Sequence, residues 1–137
     1  FGNPTRVDSS SYQLEGSIDG CGAAILTYPD FLAEVTYSKI SDSHLPCEIQ
    51  GEKGSILFSP VGTPTDVALH LRTGETKKLN VPACEWDMMY EISAFCDMVR
   101  GKQSPDIYNR NTLSTLRVLD TIRRQNKIIF PADAKNT

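Results

Sequence analysis

The stretch Phe31-Leu32-Ala33-Glu34-Val35-Thr36-Tyr37-Ser38 decides the fold class. Phe31, Ala33, Val35 and Tyr37 share one face of an extended chain, and Leu32, Glu34, Thr36 and Ser38 share the other. That alternation marks a strand with one apolar and one mixed face. The same period runs through Leu45, Cys47 and Ile49, and through Val67, Leu69 and Leu71. Sheets with one mixed face are antiparallel, because parallel strands buried on both faces read as apolar throughout. Residues 7–14 alternate weakly and are also expected to be a strand.

Turn chemistry separates these strands. Tyr28-Pro29-Asp30-Phe31, Gly51-Glu52-Lys53-Gly54, Val61-Gly62-Thr63-Pro64 and Arg72-Thr73-Gly74-Glu75 supply the residues that turns require. After residue 85 the period changes. Asp87 is an expected N-cap, and Met88, Ile92, Phe95 and Val99 form an apolar helical stripe that ends at Gly101. A second helix is expected from Asn109 or Asn111, with Leu113, Leu116, Leu119 and Ile122 on its apolar side. Arg123, Arg124 and Lys127 suit the negative end of its dipole. Ile128, Ile129 and Phe130 read as a short strand stopped by Pro131. The expected fold class is α+β: an open, mainly antiparallel sheet with two helices packed on one face. The other face, carrying Leu26, Tyr28, Leu32 and Leu57, is left available for oligomerisation.

Bulk properties narrow the function. The chain has 137 residues, enough for one domain, which the expectation places at 1–137. The formal charge of -3 argues against a nucleic-acid partner, since phosphates require a basic face. No apolar run approaches the roughly 20 residues of a membrane helix, so no membrane is expected. The start, Phe1-Gly2-Asn3-Pro4, lacks both a signal core and an initiator Met, as expected of a processed chain or a portion of a longer protein. The four cysteines, Cys21, Cys47, Cys84 and Cys96, contain no CxxC pair, and reduced thiols in a cytoplasmic protein are expected.

Chemistry-bearing residues are few. Gly51 and Gly54 lie between two strands, so they read as a hairpin turn rather than a phosphate cradle. Ser41-Asp42-Ser43-His44 enters a strand as a polar run. It admits two readings, a substrate contact that includes a neutral-pH proton carrier, or a solvated turn. A Ser/His/Asp triad does not fit, because neighbouring strand residues point to opposite faces. The same geometry excludes His44 with Cys47 as a metal pair. Lys39 ends the strand beside this run and can reach a hydroxylated or anionic ligand. His70 belongs to a surface or interface, and Trp86 to helix-start packing, a lid or an interface anchor. Glu34 and Glu48 are strand carboxylates, and Arg123 and Arg124 a solvated helix end.

The order of these elements resembles the C-terminal domain of the glucose–fructose oxidoreductase/inositol dehydrogenase (Gfo/Idh/MocA) family. The resemblance rests on residues 31–39, on residues 46–58 with their x-I-x-G-x-x-G-x-I hairpin, and on residues 90–101 with E-x-x-x-F-x-x-x-x-x-G. Residues 114–130 and Phe1-Gly2-Asn3-Pro4 extend it over nearly the whole chain. It implies an NAD- or NADP-dependent oxidoreductase acting on a hydroxyl or keto carbon of a sugar or cyclitol. It also implies that the N-terminal Rossmann domain, the cofactor site and the catalytic residues lie outside residues 1–137, so this stretch alone is expected to bind no cofactor and to be inactive. The family loop that reaches substrate matches Lys39, Ser41, Asp42, Ser43 and His44, with serines where some members carry tyrosines. The implied partners are the missing Rossmann domain, a small polyol or sugar, and further copies of the chain at the open face. The rival reading is a non-enzymatic assembly or small-ligand-binding module.

Overall fold

The computed structural model describes residues 2–16, 18–82, 86, 88–130 and 133. The expected cap Asp87, and Cys84, Glu85, Phe1 and Pro131, lie outside them. The chain divides into two compact units, one of residues 1–42 and 104–137, the other of residues 43–103. The described residues form an α+β fold with two open antiparallel sheets and two helices.

The first unit contains β1 (Arg6–Gln13), β2 (Asp19–Thr27), β3 (Leu32–Ser38) and α2 (Asp106–Gln125). The strands pair in the order β1-β2-β3. Ser9, Ala24 and Val35 form one cross-strand row, and Val7, Leu26 and Ala33 another on the same face. Leu26 therefore shares the face of Ala24, opposite to its expected side. Ala24 is only 3% exposed. On the other face Tyr12, Ile25 and Leu32 are exposed.

Helix α2 begins earlier than expected. Ser104-Pro105-Asp106 starts it: the Pro105 carbonyl accepts from the Asn109 amide at 2.9 Å, and Ser104 Oγ accepts from the Asp106 amide at 3.2 Å. Proline suits a helix start, where its missing N–H leaves no bond unmade. The helix meets β1 through a polar seam rather than through its leucines. Ser9 Oγ donates to Gln125 Oε1 at 2.6 Å, and Gln125 Nε2 donates to the Val7 carbonyl at 2.7 Å. Asn126 Nδ2 donates to Ser9 Oγ at 2.9 Å, and Gln13 Nε2 donates to the Asn126 carbonyl. Each such bond contributes about 1 kcal/mol net. Leu113, Leu116 and Leu119 remain exposed, contrary to the expectation of a buried stripe.

The expected strand at residues 128–130 does not form. Lys127 takes φ 55, which reverses the chain. The Lys127 amide then donates to the Arg124 carbonyl and the Ile128 amide to the Arg123 carbonyl. This is the paired bonding of a Schellman helix end, and it folds Ile128 inward to 9% exposure. Arg123 is no solvated end: its guanidinium lies 3.9 Å from the Phe130 ring centroid and bonds Asp120 and Asp133.

The second unit contains β4 (Cys47–Gly51), β5 (Gly54–Ser59), β6 (Asp66–Leu71), β7 (Thr76–Leu79) and α1 (Met89–Val99), with the strands ordered β4-β5-β6-β7. Each pair is joined by a turn at an expected position. Ile49, Ile56 and Leu69 line one face with Phe58 and Val67, while Gln50, Ser55, His70 and Thr76 form a polar row across the other. Leu57 sits on that polar face between Glu48 and Ala68. Leu45 precedes the strand and is exposed. In α1 the Gly101 amide donates to the Met98 carbonyl and the Lys102 amide to the Asp97 carbonyl, the helix end that Gly101 predicts. Its expected buried stripe is more than half exposed at Ile92, Phe95 and Val99. The amphipathic pattern sets the helix, but no cover for that side is found among the described residues.

Gly54 allows β5 and β6 to approach closely. A Cβ there would stand 2.2 Å from the His70 carbonyl oxygen and 3.0 Å from the Leu71 Cα. A Gly54→Ala variant is expected to lose about 1–3 kcal/mol of unfolding free energy. Gly62→Ala, where a Cβ meets nothing within 4 Å, should lose almost none. Urea denaturation of both variants checks the contrast.

Candidate functional site

The candidate site in the first unit grows from the β2–β3 ladder. Gly22 pairs with Tyr37 in register. With no Cβ at Gly22, the Tyr37 ring lies over the strand; an added Cβ would come within 2.8 Å of the ring. This placement brings the Tyr37 hydroxyl beside Asp19, where the two groups influence each other's ionisation. Two residues on, the Lys39 amide donates to the Gly20 carbonyl at 2.7 Å, extending the ladder past the strand end. Lys39 Nζ then reaches Asp19 Oδ1 at 2.7 Å. The Asp19 side chain is 18% exposed and that of Lys39 55% exposed.

The following turn is held by Ser38. Its Oγ accepts from the Ile40 amide at 3.2 Å and the Ser41 amide at 3.0 Å, and it hydrogen-bonds Ser41 Oγ at 2.8 Å. Such serine turns let a short side chain replace a backbone partner. Lys39 and Ser41 are thus fixed to the first unit's sheet, while Asp42 is exposed at its end. Ser43 and His44 belong to the second unit, where both are exposed and Ser43 Oγ accepts from the Leu45 amide at 3.3 Å. Asp19 and Tyr37 are the members that sequence reasoning missed. Tyr37 and Lys39 stand two apart in a period-two pattern, so a shared side was readable. Asp19 required the register.

Electrostatics follow from the contacts. The Lys39 hydrogen bond holds the Asp19 carboxyl below the usual range, assisted by Tyr37 and opposed by burial. Burial, then the Asp19 hydrogen bond and charge, push the Tyr37 hydroxyl up to about 12. In the second unit, Glu48 accepts from Gln50 Nε2 at 3.0 Å, which with Ser55 lowers its carboxyl. His70 Nδ1 lies 3.0 Å from Thr76 Oγ1. Gly51 and Gly54 form the β4–β5 hairpin, with Gly54 flush against β6, so this pair offers no phosphate cradle. Cys21, Cys47 and Cys96 are free and half-buried. No helix among the described residues is long and apolar enough to cross a membrane.

No protein-family model matches the chain. Over 135 residues it is 33% identical to the scyllo-inositol 2-dehydrogenase (NADP(+)) IolU of Bacillus subtilis, covering 97% of this chain and 41% of that protein. Over 134 residues it is 32% identical to the uncharacterized oxidoreductase YgjR of Escherichia coli, covering 98% of this chain and again 41% of the relative. The chain is thus similar to oxidoreductases of the Gfo/Idh/MocA type. It corresponds to the C-terminal part of such a protein and spans 41% of the length of both curated relatives. The same fold is seen in a crystal structure of a Klebsiella pneumoniae protein described as a candidate oxidoreductase. That match has a TM-score of 0.75 at 15% identity and covers 93% of this chain and 43% of the other.

The Tyr37 shift sets a pH dependence. Below pH 10 the phenol is protonated in folded and unfolded chains alike, and its contribution is complete. Between about 10 and 12 the unfolded chain gives up its proton first, so stability falls as pH rises. Urea unfolding across this window should show wild type losing more stability than Tyr37→Phe. Parallel curves for the two would contradict the contact. Asp19 acts at the other end: its contribution is present above the ordinary carboxylate range and is lost on acidification, a slope that Asp19→Asn should flatten.

Proposed function

We propose that residues 1–137 are the substrate-shaping C-terminal portion of an NAD- or NADP-dependent oxidoreductase that acts on a hydroxyl or keto carbon of a sugar or cyclitol. The observation that carries this reading is the match over 97% of the chain to a dehydrogenase named for scyllo-inositol. In this reading a Rossmann domain N-terminal to the chain holds the nicotinamide cofactor and the catalytic residues. That cofactor, when bound, would supply the hydride chemistry. This chain's residues bind and orient the substrate and exclude water. No catalytic residue is assigned to residues 1–137, and the stretch alone neither binds the cofactor nor turns over.

Lys39 and Ser41 support a role in polyol binding, because a rigid turn presents them at a strand end. Asp42, and Ser43 and His44 of the second unit, are proposed as further contacts to substrate. The exposed Tyr12, Ile25 and Leu32 support self-association through the open face of the first sheet. A cytoplasmic location goes with the cofactor requirement and the free thiols.

The test is nicotinamide absorbance with scyllo-inositol and either NAD+ or NADP+. The full-length protein should reduce one of them, and residues 1–137 alone should reduce neither. Tight cofactor binding by residues 1–137 in calorimetry would overturn the division of labour. In the full-length protein His44→Ala should raise KM about tenfold, the effect of one lost hydrogen bond. An unchanged KM removes His44 from the site.

A further inference from the structure

We infer that Asp19 and Lys39 act together as an acceptor–donor pair for two neighbouring hydroxyls of the polyol, with Tyr37 as the positioning residue for Asp19. The inference rests on the polyol reading above and adds a residue and a ligand geometry to it. An ammonium group has three donors, and Lys39 spends one on Asp19 Oδ1 at 2.7 Å. Two remain, on a side chain that is more than half exposed. A carboxylate accepts about four hydrogen bonds, and Lys39 supplies one of them. Asp19 therefore keeps acceptor capacity beside free donors.

Charge decides the ligand class. A lone lysine would favour an anion, but Asp19 neutralises this one, and the pair suits an uncharged ligand. Adjacent ring hydroxyls each donate and accept, so one can accept from Nζ while its neighbour donates to the carboxylate. The arrangement is set in advance. The Lys39 amide is tied to the Gly20 carbonyl, the next two residues are held by Ser38, and Tyr37 is seated on Gly22. Preorganised groups lose less freedom on binding. An ion pair whose lysine is more than half exposed contributes little to folding, so Lys39→Met should weaken recognition more than stability.

The test uses the full-length protein, scyllo-inositol as probe and steady-state kinetics with the nicotinamide cofactor. Asp19→Asn, Lys39→Met and the double variant are compared with Glu34→Gln, which changes the opposite face of β3. Each single variant should raise KM at least about tenfold, with a much smaller change in kcat. The double variant should be no worse than the weaker single by more than a few-fold, the mark of groups that act as a unit. Tyr37→Phe should raise KM less than Asp19→Asn. Melting temperatures show that each variant is folded; if Asp19→Asn is not, Lys39→Met and Tyr37→Phe decide. Wild-type KM in the folded variants of this cluster, alongside normal turnover, would overturn the pair and leave the polyol reading intact. A wild-type enzyme indifferent to scyllo-inositol would overturn both.

Discussion

The hydrogen-bond ladder between β2 and β3 constrains most of the first unit. It pairs Cys21 with Ser38, Gly22 with Tyr37 and Ala24 with Val35. Side chains alternate strictly along a strand, so a slip of one residue would turn Tyr37 to the other face and part it from Asp19. The register also places a glycine opposite the bulkiest side chain of β3. That close fit, together with the Lys39–Gly20 bond beyond the strand end, joins Asp19, Tyr37 and Lys39 across a sequence gap of about 20 residues.

The second unit obeys the same rule with a different outcome. Its four strands carry an apolar face and a polar face, and the row Gln50, Ser55, His70 and Thr76 satisfies part of its hydrogen bonding internally. Gly54 serves the close approach of β5 to β6. The chain as a whole matches 41% of its curated relatives' length.

Much of this was legible in the sequence because it is local. The period-two runs located β3, β6 and the hairpin at Gly51 and Gly54, and Gly101 marked the end of α1. The misses have separate physical causes. Pro105 started α2 ahead of the asparagines because a proline is tolerated in a helix's first turn. Lys127 entered the left-handed region and turned an apolar run, expected to be a strand, into a helix cap. The leucines of α2 follow a sound helical period, yet Gln125 and Asn126 make the seam with β1. Period shows which residues share a side, and tertiary structure decides which side is covered. Asp19 was invisible for a related reason: a lone carboxylate gains meaning only when the register brings Tyr37 and Lys39 to it. Lys39 and Ser41 drew notice because they stand at a strand end, where a polar run interrupts the alternation.

The most direct test of the account is the β2–β3 register in solution, read by nuclear Overhauser effects on the labelled protein. The account predicts backbone contacts that pair Gly22 with Tyr37 and Ala24 with Val35, and a Gly22 Hα resonance shifted upfield by the Tyr37 ring. Contacts displaced by one residue, with Gly22 Hα at its random-coil position, would contradict it and dissolve the Asp19–Tyr37–Lys39 cluster.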